Sequence, residues 1–326
     1  MRVDAVITWV DGSDPLWRSK REQYSSLSHA HTLATSNVEG RFRDNGDLLF
    51  LLRSLEKYWP FEGSIYLVTD GQSPDFLSQH PRVKVIDHRE ILDGQYLPTF
   101  SSRAIESALH RIPGLAEHFV AFNDDVFLTR RVSHEDFFGG KGARIYLSDE
   151  KLPDLSATDN LSGHNDALNA KLWMRAHYGE SKLDFIQEHS PKGVRKSWMM
   201  ELEERHPDVF DEVRQEKFRR VFGQSILANL YQDWCLTLGR ADVCHNECLY
   251  LYTDDIEGNK VESLQSSIDR HLSVCINDTT DNRSDLKDML GKLNRVRLEI
   301  FPNTSAFEKK MGLQSKHQPL ALDVSL

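Results

Sequence analysis

Cysteine is scarce in this chain: Cys235, Cys244, Cys248 and Cys275 are the four in 326 residues. So few exclude a disulfide framework and point to a reducing compartment. Cys244 and Cys248 straddle His245, but no second Cys/His pair follows at zinc-site spacing, so buried or free thiols are expected. No apolar run approaches the ~18 residues that cross a bilayer. The start, Met1-Arg2-Val3-Asp4-Ala5-Val6, reads as a strand and not a signal peptide. Excess positive charge is missing as well. A net charge of −10 excludes a general binder of nucleic acid or anionic membrane. Internal repeats and low-complexity tracts are absent. The sequons at Asn160, Asn277, Asn282 and Asn303 matter only in a secreted chain and read as chance. The expected compartment is the cytoplasm, with peripheral attachment to the inner membrane as the alternative and no integral membrane segment.

What is present is an ordinary globular composition, 39% hydrophobic and 28% charged, long enough for one large or two smaller domains. Val3–Val10 alternates and is rich in β-formers, and it ends in the turn Asp11-Gly12-Ser13-Asp14-Pro15. Residues 16–27 read as an amphipathic helix and 28–40 as a loop over the site. Asn45 is positioned to cap a helix whose stripe is Leu48, Leu51, Leu52, Leu55 and Trp59, with Arg53 off the stripe. Ser64–Thr69 and Val83–Asp87 read as strands, and Ser101 or Ser102 starts a helix through Ile112. Phe119–Phe122 is a buried strand that breaks off in Asn123-Asp124-Asp125.

Residues 1–128 therefore read β-α-β-β-α-β, which implies a mostly parallel sheet with helices on both faces. In such sheets the ligand lies beyond the carboxyl ends of the strands. Three strand ends carry acidic turns: Asp11/Asp14, Asp70 and Asp124/Asp125. Adjacent carboxylates there suit a divalent cation under a phosphorylated ligand, since Mg²⁺ prefers hard oxygen donors. In the second half, 148–177 reads as a lid, and helices are expected from about 191 to 206, over 207–220 and over 221–234. Strands follow at 249–253 and 273–276, and Leu286–Ile300 is a final helix. Asn277-Asp278 repeats the strand-then-Asn-Asp pattern. The expected organisation is an α/β part over 1–147, a lid and helical acceptor part over 148–272, a strand and helix completing the core over 273–300, and a loose tail over 301–326.

Four blocks together resemble the Stealth family of sugar-1-phosphate transferases. They are Asp4–Asp14; Arg41–Leu48 continuing through Leu52–Tyr58 to Ile65–Gln72; Leu97–Ser102 through His110–Leu115 to Phe122–Val126; and, more weakly, Cys275–Thr279. The family includes bacterial capsule-polymer phosphotransferases and the animal lysosomal-enzyme GlcNAc-1-phosphotransferase, whose large insertions are missing here. The resemblance implies a glycosyltransferase-A-like fold and a Mg²⁺- or Mn²⁺-dependent transfer of hexose-1-phosphate from a UDP-sugar to a glycan hydroxyl. UMP would leave, and the setting would be capsule or exopolysaccharide synthesis.

The chemistry assigns roles within that frame. Asp124 and Asp125 would hold the metal, with Asp278 from the repeated turn. Trp9 offers a flat face to a base, with Asp11, Gly12 and Asp14 beside it and Gly12 allowing close backbone approach. Arg43, Asp44, Asn45 and Arg53 would bracket the diphosphate and sugar, since an arginine fork donates two bonds at once. Asp70 is a further candidate. His189, in His-Ser-Pro, resembles the family's catalytic histidine region and would be the general base. Arg219, in Lys217-Phe218-Arg219, would stabilise charge on the transferred phosphate, with Arg220 one residue away. Two other readings share most of these residues: a metal-dependent glycosyltransferase releasing UDP, and a non-catalytic nucleotide-sugar-binding protein.

Overall fold

The computed structural model describes residues 2–25, 38–152, 162–253, 266, 268–280 and 284–310. Strand β1 (Val3–Thr8) is buried along nearly its whole length, as a parallel strand covered on both faces must be. It pairs in parallel with β2 (Ile65–Thr69) on one side and with β4 (His118–Asn123) on the other. Strand β3 (Val83–Asp87) extends the sheet beyond β2, and β8 (Lys192–Arg195) closes the β4 edge antiparallel. The order is β3-β2-β1-β4-β8. The chain reverses its direction of growth between β1 and β4, so the crevice at this switch point opens beyond Thr8 and Asn123, which lie opposite each other in register.

Alternation along the strands divides the core. Val3, Ala5 and Ile7 pack with α2 (Asp47–Tyr58) and α8 (Leu286–Ile300). Val6, Phe119 and Ala121 face the opposite layer. That layer draws on α3 (Ser102–Glu106), α4 (Ser162–Tyr178), α5 (Lys196–Arg205), α6 (Pro207–Arg214) and α7 (Tyr231–Thr237). Helix α1 (Pro15–Gln23) starts where the Asp14 carboxylate accepts from the Leu16 and Trp17 amides. Two small sheets flank the site. One runs β10 (Cys248–Tyr252), β11 (Ser273–Asn277), β5 (Val126–Leu128); the other runs β7 (Phe185–Gln187), β6 (Ala143–Lys151), β9 (Ala241–His245). This is the expected glycosyltransferase-A-like α/β arrangement, with its mostly parallel sheet, helices on both faces and helical second half.

Several expectations are corrected. The turn after His189-Ser190-Pro191 leads first into β8 and only then into α5. A four-residue strand, Lys192-Gly193-Val194-Arg195, has too little pattern to be seen, and β4 supplies its partner. Through β8 the segment 148–272 adds an edge strand to the sheet of residues 1–147. The lid expected over 148–177 contains the end of β6 and the helix α4, and its part at 153–161 lies outside the described residues. So do residues 28–37 of the expected loop. The helix expected through Ile112 ends at Glu106, with a short 3₁₀ turn after it. Asn45 does not cap α2; Gly46 takes that position at φ 79°. The tail is not loose through residue 310: Phe301 and Phe307 are buried, and Glu308 pairs with Arg53. Residues 311–326 lie outside the described residues.

Candidate active site

The switch-point crevice is a cleft of about 140 Å³, lined by Trp9, Arg41, Arg43, Asn45, Asp47, Asp124, Asp125, His189, Arg219 and Asp278 among others. Its floor is acidic. Asp124 is pushed well above the ordinary carboxylate range by burial and by the charges of Asp125, Asp47 and Asp44. Burial also pushes Asp125 upward, but contacts with His189, Arg41 and Cys275 outweigh it and hold Asp125 below its usual range. One oxygen, Asp125 Oδ1, is buried without a hydrogen-bond partner among the described residues. His189 Nε2 lies 3.8 Å from that oxygen.

These residues fit a hard divalent cation. Two neighbouring carboxylates with an unsatisfied oxygen are what Mg²⁺ or Mn²⁺ takes from a protein that leaves phosphate to fill the remaining positions. Asp125, His189 and Cys275 also lie within 4.8 Å of one another. A soft metal there would require a thiolate. Burial raises the Cys275 thiol far above its ordinary range, so it serves as a donor to Asp125 Oδ2 at 3.5 Å.

Asp278 has a different task. Its Oδ2 accepts from Arg43 Nη1 at 2.6 Å and Asn45 Nδ2 at 2.9 Å. Its Oδ1 accepts from the Thr280 amide and hydroxyl at 2.9 and 2.7 Å. A carboxylate so occupied has little lone-pair capacity left for a metal. Asp278 instead orients Arg43, whose Nη2 is buried at the cleft with no hydrogen-bond partner among the described residues. The loop carrying Arg43 and Asn45 is anchored from behind. Arg297 of α8 donates to the Asn45 carbonyl at 3.0 Å and pairs closely with Asp47. Burial, partly offset by Arg297, still pushes the Asp47 carboxyl up to about 7.

A second cleft, of about 620 Å³, lies on the β8 side. It shares Thr8, Arg41, Ser102, Asn123, His189, Arg219 and Asn277 with the first. Cationic side chains concentrate at this junction. Arg219 donates to Ser102 Oγ at 2.5 Å, and Arg41 donates to Asn277 Oδ1 at 3.0 Å. Burial and the repulsion of Arg41 and Arg103 lower the Arg219 pKa to about 10, with Glu106 and Asp166 opposing. Guanidiniums gathered against their own repulsion form a ready site for an anion. His189 stands at the same junction, edge-on to the Tyr250 ring at 5.7 Å. Tyr250 and Tyr252, on one face of β10, continue the wall of the second cleft.

Of the sequence-predicted residues, Trp9, Arg43, Asn45, Asp124, Asp125, Asp278, His189 and Arg219 come together in the first cleft. Others are near but structural. Asp11 accepts from Ser13, and Asp14 caps α1. Gly12 packs so tightly on the Phe42 carbonyl that a Cβ would meet it at 2.1 Å. Its small size serves loop packing rather than ligand approach. Asp44 accepts from the Gly46 amide, and Asp70 pairs with Lys20. Arg53 is removed from the site altogether: it is 3% exposed and forked onto Glu308. The reading missed Arg41, Ser102, Asp47, Arg297 and His88. Arg41 lay inside a motif and could have been taken from it; Arg297 has no local signal.

An acidic, arginine-rimmed crevice at the switch point of a parallel sheet marks an α/β protein with its candidate site at the strand ends. Residues 1–28 match the model for Stealth protein CR1, conserved region 1, and 41–145 that for CR2, conserved region 2. The chain is 35% identical over 314 residues to an exopolysaccharide phosphotransferase of Streptomyces coelicolor, covering 94% of this chain and 52% of that protein. It is 32% identical to a capsular polysaccharide phosphotransferase of Neisseria meningitidis, covering 92% and 83%. A receptor polysaccharide phosphotransferase of Streptococcus oralis is 28% identical, covering 94% and 99%. The chain belongs to the Stealth family, and it spans about half the length of its Streptomyces relatives. No helix of the described residues is long and apolar enough to cross a membrane.

Proposed function

We propose that this protein transfers a hexose-1-phosphate from a UDP-sugar to a glycan hydroxyl in capsule or exopolysaccharide synthesis, with release of UMP. The observation that carries the reading is the meeting of two clefts at Arg41, His189 and Arg219. A donor in the first cleft and an acceptor in the second would face each other at a cationic point, which suits reaction at phosphorus. The names of the relatives support polysaccharide phosphotransfer.

In this mechanism the acceptor oxygen bonds to the β-phosphorus, and the bond from that phosphorus to the bridging oxygen breaks with its electrons leaving on UMP. The hydroxyl proton passes to the His189 imidazole. Arg219 and Arg41 stabilise charge spread over the equatorial oxygens, while Arg43, held by Asp278, steadies the donor. Asp124 and Asp125 would hold Mg²⁺ or Mn²⁺, which supplies charge neutralisation at the diphosphate.

The test is the nucleotide product. Purified protein is incubated with Mg²⁺, a panel of UDP-sugars and short capsule-type oligosaccharides. UMP formed only with metal and acceptor supports the proposal. UDP would mean attack at the sugar carbon, and His189 and Arg219 would need other roles.

A further inference from the structure

The donor cleft has a far end that the transfer chemistry does not use. It is marked by His88, which follows β3 in a 3₁₀ turn fixed by a capping box between Asp87 and Glu90. The imidazole is 2% exposed and lines the cleft with Trp9, Trp17, Thr99 and Phe100. Both ring nitrogens are buried without a hydrogen-bond partner among the described residues. A buried polar group left unsatisfied calls for an explanation, and a missing ligand is the first to consider.

Sheet order gives that ligand a direction. The acidic turn follows β4, and the order β4-β1-β2-β3 places His88 three strands away, roughly 14 Å at usual strand spacing. That is about the reach of an extended nucleoside diphosphate whose phosphates lie at Asp124–Asp125. The far end is walled by aromatic faces, with Trp17 edge-on to Phe100 at 5.5 Å. A planar group with a polar rim would lie against these packed faces.

We propose that His88 recognises the base of the donor nucleotide, one imidazole nitrogen meeting the hydrogen-bonding edge of the pyrimidine. This rests on the nucleotide-sugar reading above. Burial, assisted by Lys20 and opposed by Asp70 and Asp87, lowers the His88 pKa to about 4. The neutral ring offers one donor and one acceptor, which suits an uncharged base and not a phosphate.

The test compares two probes on the intact protein by titration calorimetry in Mg²⁺: UDP, and inorganic pyrophosphate, which has no base. His88→Phe keeps the ring volume and removes both polar nitrogens; His88→Asn keeps polarity in a smaller side chain. UDP affinity should fall ten- to a hundredfold in His88→Phe and less in His88→Asn, with pyrophosphate affinity unchanged in both. Equal UDP affinity in wild type and His88→Phe would overturn the inference and leave the donor reading intact. Equal weakening of both probes would also overturn it, by showing a general effect on the cleft. A wild-type protein that binds pyrophosphate but not UDP would sink the nucleotide reading itself.

Discussion

Arg53→Met separates structure from sequence pattern most sharply. The motif placed this arginine at the diphosphate; the fold places it under the C-terminal segment. Its Nε and Nη2 donate to the two Glu308 oxygens at 2.9 and 2.7 Å, and Nη1 donates to the Phe301 carbonyl at 3.0 Å. Breaking a buried ion pair from one side costs about 3–5 kcal/mol, because the other charge is left uncompensated. Glu308 keeps its Ser305 amide and hydroxyl donors, so the lower end, about 3 kcal/mol, is expected. That is a large part of the ~5–15 kcal/mol that holds a protein folded. At about 1.5 °C per kcal/mol for a chain of 326 residues it lowers Tm by roughly 4–5 °C. The double variant Arg53→Met/Glu308→Leu removes the stranded carboxylate and should recover most of the loss, a coupling that a double-mutant cycle reads directly. UDP affinity, measured below the transition, should match wild type in both. A single variant with unchanged Tm and UDP affinity down tenfold or more would refute the reasoning and return Arg53 to the donor site.

Three further outcomes follow from the site and its supports. Chelation should abolish UMP release, and Asp125→Asn should weaken Mn²⁺ binding, read by the paramagnetic signal of the free ion, by at least tenfold; unchanged binding would exclude Asp125 as a ligand. His189→Ala should lower UMP release about 10²–10⁴-fold, the usual contribution of a general base, with UDP affinity preserved; wild-type turnover would end its assignment. Glu203 lies among His110, Arg111 and Arg214, whose bonds outweigh burial and hold its carboxyl below the usual range. A depressed carboxylate stabilises the fold above its unfolded pKa and loses that contribution as pH falls. Glu203→Gln should therefore cost roughly 3 kcal/mol at pH 7 and progressively less below about pH 4, as followed by urea unfolding.

The first half of the fold was legible because each buried strand stops at a polar turn and each helix carries its own stripe. β1, β2, β3, β4 and α8 are found close to where the pattern puts them. β8 was not legible, because four residues carry no period and their pairing with β4 is set by the distant chain. Arg53 misled for a related reason. A charged residue off the apolar stripe suggests an exposed face, yet α2 is covered on both sides and Arg53 is satisfied from 255 positions away. The junction residues share this property: Arg219 is oriented by Ser102 and Arg41 by Asn277, partners 117 and 236 positions distant. Sequence shows which chemistry is available; long-range partners decide which group is left free to use it.

The two Asn-Asp turns make that point within one molecule. Asn123-Asp124 and Asn277-Asp278 both end buried strands, and both pairs line the same cleft. Around Asp278 the chain brings two side-chain donors from the 43–45 loop and two from Thr280, so the carboxylate is consumed in holding Arg43 and Asn45. Beyond Asp124, the next carboxylate has an oxygen with no donor to accept from among the described residues, and Asp124 itself is pushed up by burial and by like charge. A carboxylate with unsatisfied capacity is suited to a cation, and one that is saturated positions its neighbours. The same dipeptide at the same kind of strand end thus meets two different surroundings. The difference lies in hydrogen-bond supply, which the arginine loop delivers to β11 and withholds from β4.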